Sequence, residues 1–192
     1  GRDPLLVMRE VIRSLPDVVA GWTTEQWERP YAPGKWTARQ VLIHLAQTEL
    51  ALGTRARMAL TRPGFVAQSF DQDGWLARER GVSGPDAVNV FVALASLNLA
   101  LYASLTDADR ATALTHDEYG PMTVNWIIYQ QAGHEFHHLD DLRVPSFCIQ
   151  SCVLALLCRA WISALACASW NVSLRMARWP SRPAVLCCTP SN

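Results

Sequence analysis

From Gly1 to Arg143 the chain has no cysteine, and from Val144 to Asn192 it has no glycine, acid, lysine or histidine. The first absence removes a disulfide framework and thiolate chemistry from the larger part of the molecule. The second marks a break in composition, because Cys148, Cys152, Cys158, Cys167, Cys187 and Cys188 all lie beyond it. Basic blocks and basic helix faces are missing as well. Arg and Lys total 17 against 17 Asp and Glu, but all the acids and only 13 of the basic residues precede Val144, so this body carries −4. Such a body repels a phosphate backbone, and no nucleic-acid partner is expected. Asp3, Glu10 and Asp17 interrupt any apolar leader, so a cytoplasmic chain is expected. No internal repeat, low-complexity run or segment of sustained alternation is present, and no strand is expected.

What remains is helical periodicity. Leu5, Leu6, Met8, Val11, Ile12, Leu15, Val18 and Val19 predict a first helix over 4–20, bent at Pro16. Residues 21–35 hold Trp22, Trp27, Pro30, Tyr31 and Pro33, an aromatic connection with room for one short turn. Thr37-Ala38-Arg39-Gln40 is a capping box that starts a helix running to about Leu60, where Arg62-Pro63-Gly64 stops it. Residues 62–85 read as a long connection suited to a lid or pocket wall, with a short helix over 75–80. The next helix, 86–105, is nearly free of charge and is expected to be the most buried. Thr106 to Asp109 ends it or opens one turn, Gly120-Pro121 closes a further connection, and Thr123 caps a last helix to Arg143. Four long helices describe an all-α chain, a four-helix bundle over 1–143 with its site between facing helices.

Three of the five histidines fall in Gly133-His134-Glu135-Phe136-His137-His138-Leu139. His134 and His138 are four apart, so on a helix both imidazoles leave one face and can share a metal ion. The stripe back through Gln131, Ile127 or Ile128 and Val124 places that face toward the core. Buried imidazoles need a partner, and a divalent cation is the commonest. His137 is a substitute ligand, but the four-residue step to His138 keeps the stripe. His134-Glu135-Phe136-His137-His138 also matches the His-Glu-x-x-His helix of zinc metallopeptidases, with Glu135 as candidate general base. Those enzymes take a third ligand from downstream, where this chain has no Glu or His, and Asp140 and Asp141 are too near on the same helix. Of the upstream histidines, His44 and His116, only His44 lies on a long helix with an inward face. Glu135 sits about 100° around the helix from His134, placed to reach a bound water or to face solvent.

His44 with His134 and His138 resembles the DinB-like superfamily, also called YfiT-like metal-dependent enzymes. The resemblance rests on Gly34 to Leu45 with its Trp36-Thr37 and His44, on Gly120 to Val124, and on Gly133 to Leu139, and it spans roughly residues 4–143. It implies an up-down-down-up bundle with a divalent metal, zinc or nickel, held by His44, His134 and His138. It further implies a homodimer, and either an S-transferase that uses a low-molecular-weight thiol co-substrate or a hydrolase, acting on a small molecule. The residues agree with that chemistry: three neutral imidazoles leave a dication its full charge and an open position, bringing a bound water or thiol to a pKa of about 7. Glu49, Asp140 and Asp141 are candidates to orient the imidazoles, and Trp36 and Tyr129 to line a pocket. The alternative is a non-catalytic metal-binding bundle or dimerising scaffold.

Residues 144–192 form an atypical Cys-rich, apolar tail. Its run from Phe147 to Trp170 is long enough for a bilayer anchor, although Arg159 interrupts it, and an added helix on the bundle would also accommodate it. The abrupt change in composition is what a frameshifted or otherwise non-native extension produces.

Overall fold

The computed structural model describes residues 1–143, and the readings made for residues 144–192 lie outside the described residues. Asp3 opens α1 (Pro4–Val18) by accepting the Leu5 N–H at 2.9 Å, and Pro4 occupies the first turn, where its missing N–H costs nothing. Val7, Met8, Val11 and Leu15 form its buried stripe, and Pro16 falls in the last turn. The aromatic connection holds the short α2 (Thr24–Trp27). The capping box read from Thr37 and Gln40 is formed: the Thr37 hydroxyl accepts from the Gln40 N–H at 3.2 Å, and the Gln40 side chain accepts from the Thr37 N–H at 2.8 Å. It starts α3 (Ala38–Thr61), a helix about 36 Å long.

The connections carry more structure than expected. After α3 come β1 (Val66–Ala67) and α4 (Gln72–Leu76), then α5 (Gly84–Ser104) and α6 (Asp107–Arg110). Next are β2 (Ala113–His116) and β3 (Gly120–Thr123), and Thr123 then caps α7 (Val124–Leu142). The expectation of no strand is therefore corrected by a small three-stranded sheet of order β1-β2-β3, parallel between β1 and β2 and antiparallel between β2 and β3. Strands of two to four residues are too short for alternation to register in the sequence. Gly120-Pro121 lies in β3, and Gly120, at φ +74°, turns the chain so that it pairs with His116.

The architecture is a four-helix bundle. α1 packs on α5 and α7, and α3 packs on the same two, so α1 and α3, consecutive long helices, occupy opposite corners. The core runs from Met8 and Leu15 through Leu42, Leu45 and Phe91 to Ile127, Ile128 and Leu139. α5 is not the most buried helix. Ala87, Phe91, Ala95, Asn98 and Tyr102 face inward, while Val90 and Leu97 are 47% and 58% exposed. Apolar residues occur on every side of it, and polar ones on both the inner and the outer side, so composition could not show that only one side is covered. The contact of α5 with α3 is close: a Cβ on Gly53 would stand 2.3 Å from the Asn98 amide oxygen. That amide bonds Arg57 at 2.7 Å and the Glu49 carbonyl at 2.9 Å.

Candidate metal centre

The packing of α3 on α7 brings His44, His134 and His138 together, all buried. One ligand nitrogen from each lies within 4.8 Å of the others, and His44 Nε2 is 3.1 Å from His134 Nε2. The Trp36 ring rests on His44 with centroids 4.8 Å apart and walls that side. His138 Nδ1 is 3.1 Å from the Asp141 carboxylate, which fixes the proton on Nδ1 and turns Nε2 toward the other two rings. Burial, and then the neighbouring His138, pushes His44 down to about 3. Burial followed by His138 and His44 holds His134 well below the usual histidine range. Neutral imidazoles offer lone pairs, and imidazole nitrogens brought this close together suit a divalent cation.

Other residues singled out by sequence are placed as follows. His137 is 54% exposed and 3.6 Å from Asp141, outside the cluster of His44, His134 and His138. Asp140 pairs with Arg143 at 3.4 Å, and Tyr129 is partly exposed on the outer side of α7. Glu135 does not face solvent and is not among the residues that line the cavity beside the histidines. It is fully buried, and among the described residues the group its carboxyl faces is the carboxyl of Glu49. Burial and that neighbour hold its pKa well above the carboxylate range, while burial raises Glu49 against the bonds it accepts from Asn98 and Gln131. Two carboxyl groups in this position satisfy each other by sharing a proton.

A cavity of about 270 Å³ opens beside the cluster, with His44 and His134 at its inner end. Thr48, Leu52 and Arg55 continue its wall along α3, and the segments 69–73 and 116–119 close the outside. The long connection read as a lid or pocket wall thus supplies part of a pocket wall. His116, set aside by sequence, is buried at the end of β2 and lines this cavity. Its Nδ1 accepts the backbone N–H of Glu118 at 3.1 Å and of Tyr119 at 3.4 Å. Arg55 carried no signal beyond its spacing, eleven residues after His44 and so on nearly the same helix face.

A family model described as the DinB superfamily matches residues 8–142. An Oceanobacillus iheyensis protein is 26% identical over 142 residues, covering 73% of this chain and 81% of its own length. YfiT of Bacillus subtilis is 26% identical over 139 residues, covering 71% and 78%. Both bear the name "putative metal-dependent hydrolase". The solved structure of Bacillus subtilis YfiT, described as a four-helix bundle of unusual topology, superposes with a TM-score of 0.68 at 24% identity over 72% of this chain and 81% of that one. That likeness establishes the bundle. With the family model spanning all four long helices and both arms of the histidine cluster, the chain belongs to the DinB superfamily.

Proposed function

We propose that this protein is a metal-dependent enzyme that acts on a small molecule at a divalent cation held by His44, His134 and His138. The observation that carries the reading is the convergence of three buried imidazoles beside a cavity of about 270 Å³ lined by two of them. When bound, the cation supplies Lewis acidity and lowers the pKa of a water or thiol beside it. Asp141 orients His138, Trp36 shields His44 from water, and the cavity admits a substrate from one side. An all-nitrogen set of this kind suits zinc or nickel. It supports hydrolysis, the activity in the relatives' names, and equally an S-transferase reaction with a low-molecular-weight thiol. A scaffold with a structural metal would need a closed ligand sphere, and the cavity argues against one. The peptidase reading needs Glu135 beside the reacting water, whereas Glu135 faces Glu49 and is absent from the cavity wall.

Elemental mass spectrometry tests the site. The wild type should hold about one divalent ion per chain, and His44→Ala and His138→Ala should lose it. Metal retained in both variants would overturn the assignment. Turnover of ester and amide substrates, with and without added thiol, then separates the hydrolase from the transferase.

A further inference from the structure

Arg55 lies half-buried in the cavity wall, about 16 Å along α3 from His44, with Thr48 and Leu52 between them on the same face. Its guanidinium donates to the Gln68 carbonyl, and its carbon stands 5.8 Å from the Phe70 ring centroid. Gln68 is its one hydrogen-bond acceptor among the described residues; the Asp117 carboxylate is near enough for its charge to act on Arg55, but makes no ion pair with it. The acids nearby are committed elsewhere. Asp117 accepts the Ser69 N–H at 3.1 Å and shares the Ser69 hydroxyl with Glu118 at 2.9 Å each, while Asp71 caps α4 through the Gly74 N–H at 2.9 Å. A guanidinium has five N–H donors in a fork matched to a carboxylate, and removing it from water without an anion is costly.

His116 completes the arrangement. Nδ1 accepts two backbone N–H groups and lies 3.1 Å from an Asp117 carboxylate oxygen to which it makes no hydrogen bond, so the ring proton is on Nε2, which has no acceptor among the described residues, and the ring lines the same cavity as Arg55. The two are close enough that the Arg55 charge, after burial, holds His116 below the usual histidine range. We propose that Arg55 and the Nε2–H of His116 form an anion subsite at the outer end of the cavity, and that it takes a carboxylate carried by the small molecule. Asp71, Asp73 and Glu118 line the same space and repel any anion in proportion to its charge, so a carboxylate, which the Arg55 fork can hold with one charge, is tolerated where a phosphate dianion is not. The placement of the molecule's reacting end at His44, His134 and His138 rests on the proposed function; the subsite itself does not.

The test uses the cobalt-loaded protein and two thiols of equal length, 6-mercaptohexanoate and 6-mercaptohexanol, with dissociation constants read from the visible absorption of the cobalt centre. In the wild type the acid should bind about tenfold tighter than the alcohol. Arg55→Met should abolish that advantage while leaving the alcohol's affinity unchanged, which also shows that the pocket is intact. Arg55→Lys should restore part of it. His116→Asn, which keeps an acceptor at the Nδ1 position and removes the Nε2 donor, should reduce it about threefold. Equal affinities in the wild type, or an advantage that survives Arg55→Met, would overturn the subsite. If neither thiol changes the cobalt spectrum, the thiol-and-metal reading fails and a titration with hexanoate, followed at the Arg55 side-chain nitrogen resonance, decides the subsite alone. A saturable shift with hexanoate and none with hexanol supports it; no shift with either refutes it.

Discussion

Two polar clusters lie side by side between α3 and α7, and they have opposite needs. His44, His134 and His138 bring lone pairs together at the edge of a cavity. Glu49 and Glu135, the latter adjacent in sequence to His134, bring carboxyl oxygens together in the sealed interior, where Asn98 and Gln131 donate to Glu49 and the Tyr102 hydroxyl donates to Gln131 at 2.8 Å. Each set is costly to bury alone. A cation would satisfy the first and a shared proton the second, so one bundle interior holds an end open to a ligand and an end closed on itself. What separates them is α5: it covers the carboxyls with Asn98 and Tyr102 and leaves the histidines beside the cavity.

The largest effect that would break this division is on metal. His134→Ala should lower metal affinity by more than about 100-fold, beyond the cost of losing an orienting group, as read by competition with a chelator. Glu135→Ala should leave metal stoichiometry intact and cost about 2–4 kcal/mol in urea denaturation, because it opens a cavity and removes the partner of Glu49. Glu135→Gln, which supplies an amide donor to Glu49, should stay within about 1 kcal/mol of wild type. Metal loss in the glutamine variant would show that the two clusters act as one. Asp141→Ala should weaken metal binding by about 10–100-fold without abolishing it, since only the orientation of His138 is lost.

Acid should sharpen the contrast. In the metal-free protein, unfolded histidines take up protons near their ordinary pKa of 6.5, which His44, held at about 3, refuses. The unfolded chain binds more protons in that window, so this contribution to stability is complete above about 6.5 and is lost as pH falls toward 3. The carboxyl pair has the reverse slope: its raised pKa favours the fold at low pH, and that contribution is lost as pH rises through the folded value. Denaturation of the metal-free Glu135→Gln variant across pH should therefore show a steeper acid loss than wild type. The smallest effect belongs to the uncovered side of α5, where Leu97→Glu should change stability by no more than about 0.5 kcal/mol.

How much of this could be read in the sequence depended on where each signal was written. Spacing within one helix is a local property, so the shared face of His134 and His138, the start of α3 at Thr37 and the inward look of His44 were legible. Properties created by a second element were not. Glu135 sits inside a motif whose usual chemistry places it beside water, and only Glu49, brought in by α3, shows where it points. His116 depends on a strand of four residues paired to one of two, below the length at which a pattern exists. Arg55 reads in isolation as a solvated helix cation, and only the folding back of residues 68–70 buries it. The exposure of Val90 and Leu97 is likewise invisible in a helix with apolar residues on every side.

The pairing of β1 with β2 carries one more consequence. Its bonds, from the Thr115 N–H to the Phe65 carbonyl at 3.1 Å and from the Asp117 N–H to the Ala67 carbonyl at 3.0 Å, tie together the two chain segments that close the outer side of the cavity. Neither segment can swing outward without breaking these bonds or carrying the other with it, so a widening of the cavity on this side is registered at the pairing. Those two amides are its natural reporters: their deuterium uptake measures how often the wall parts, with no substrate in the tube and no label on the protein.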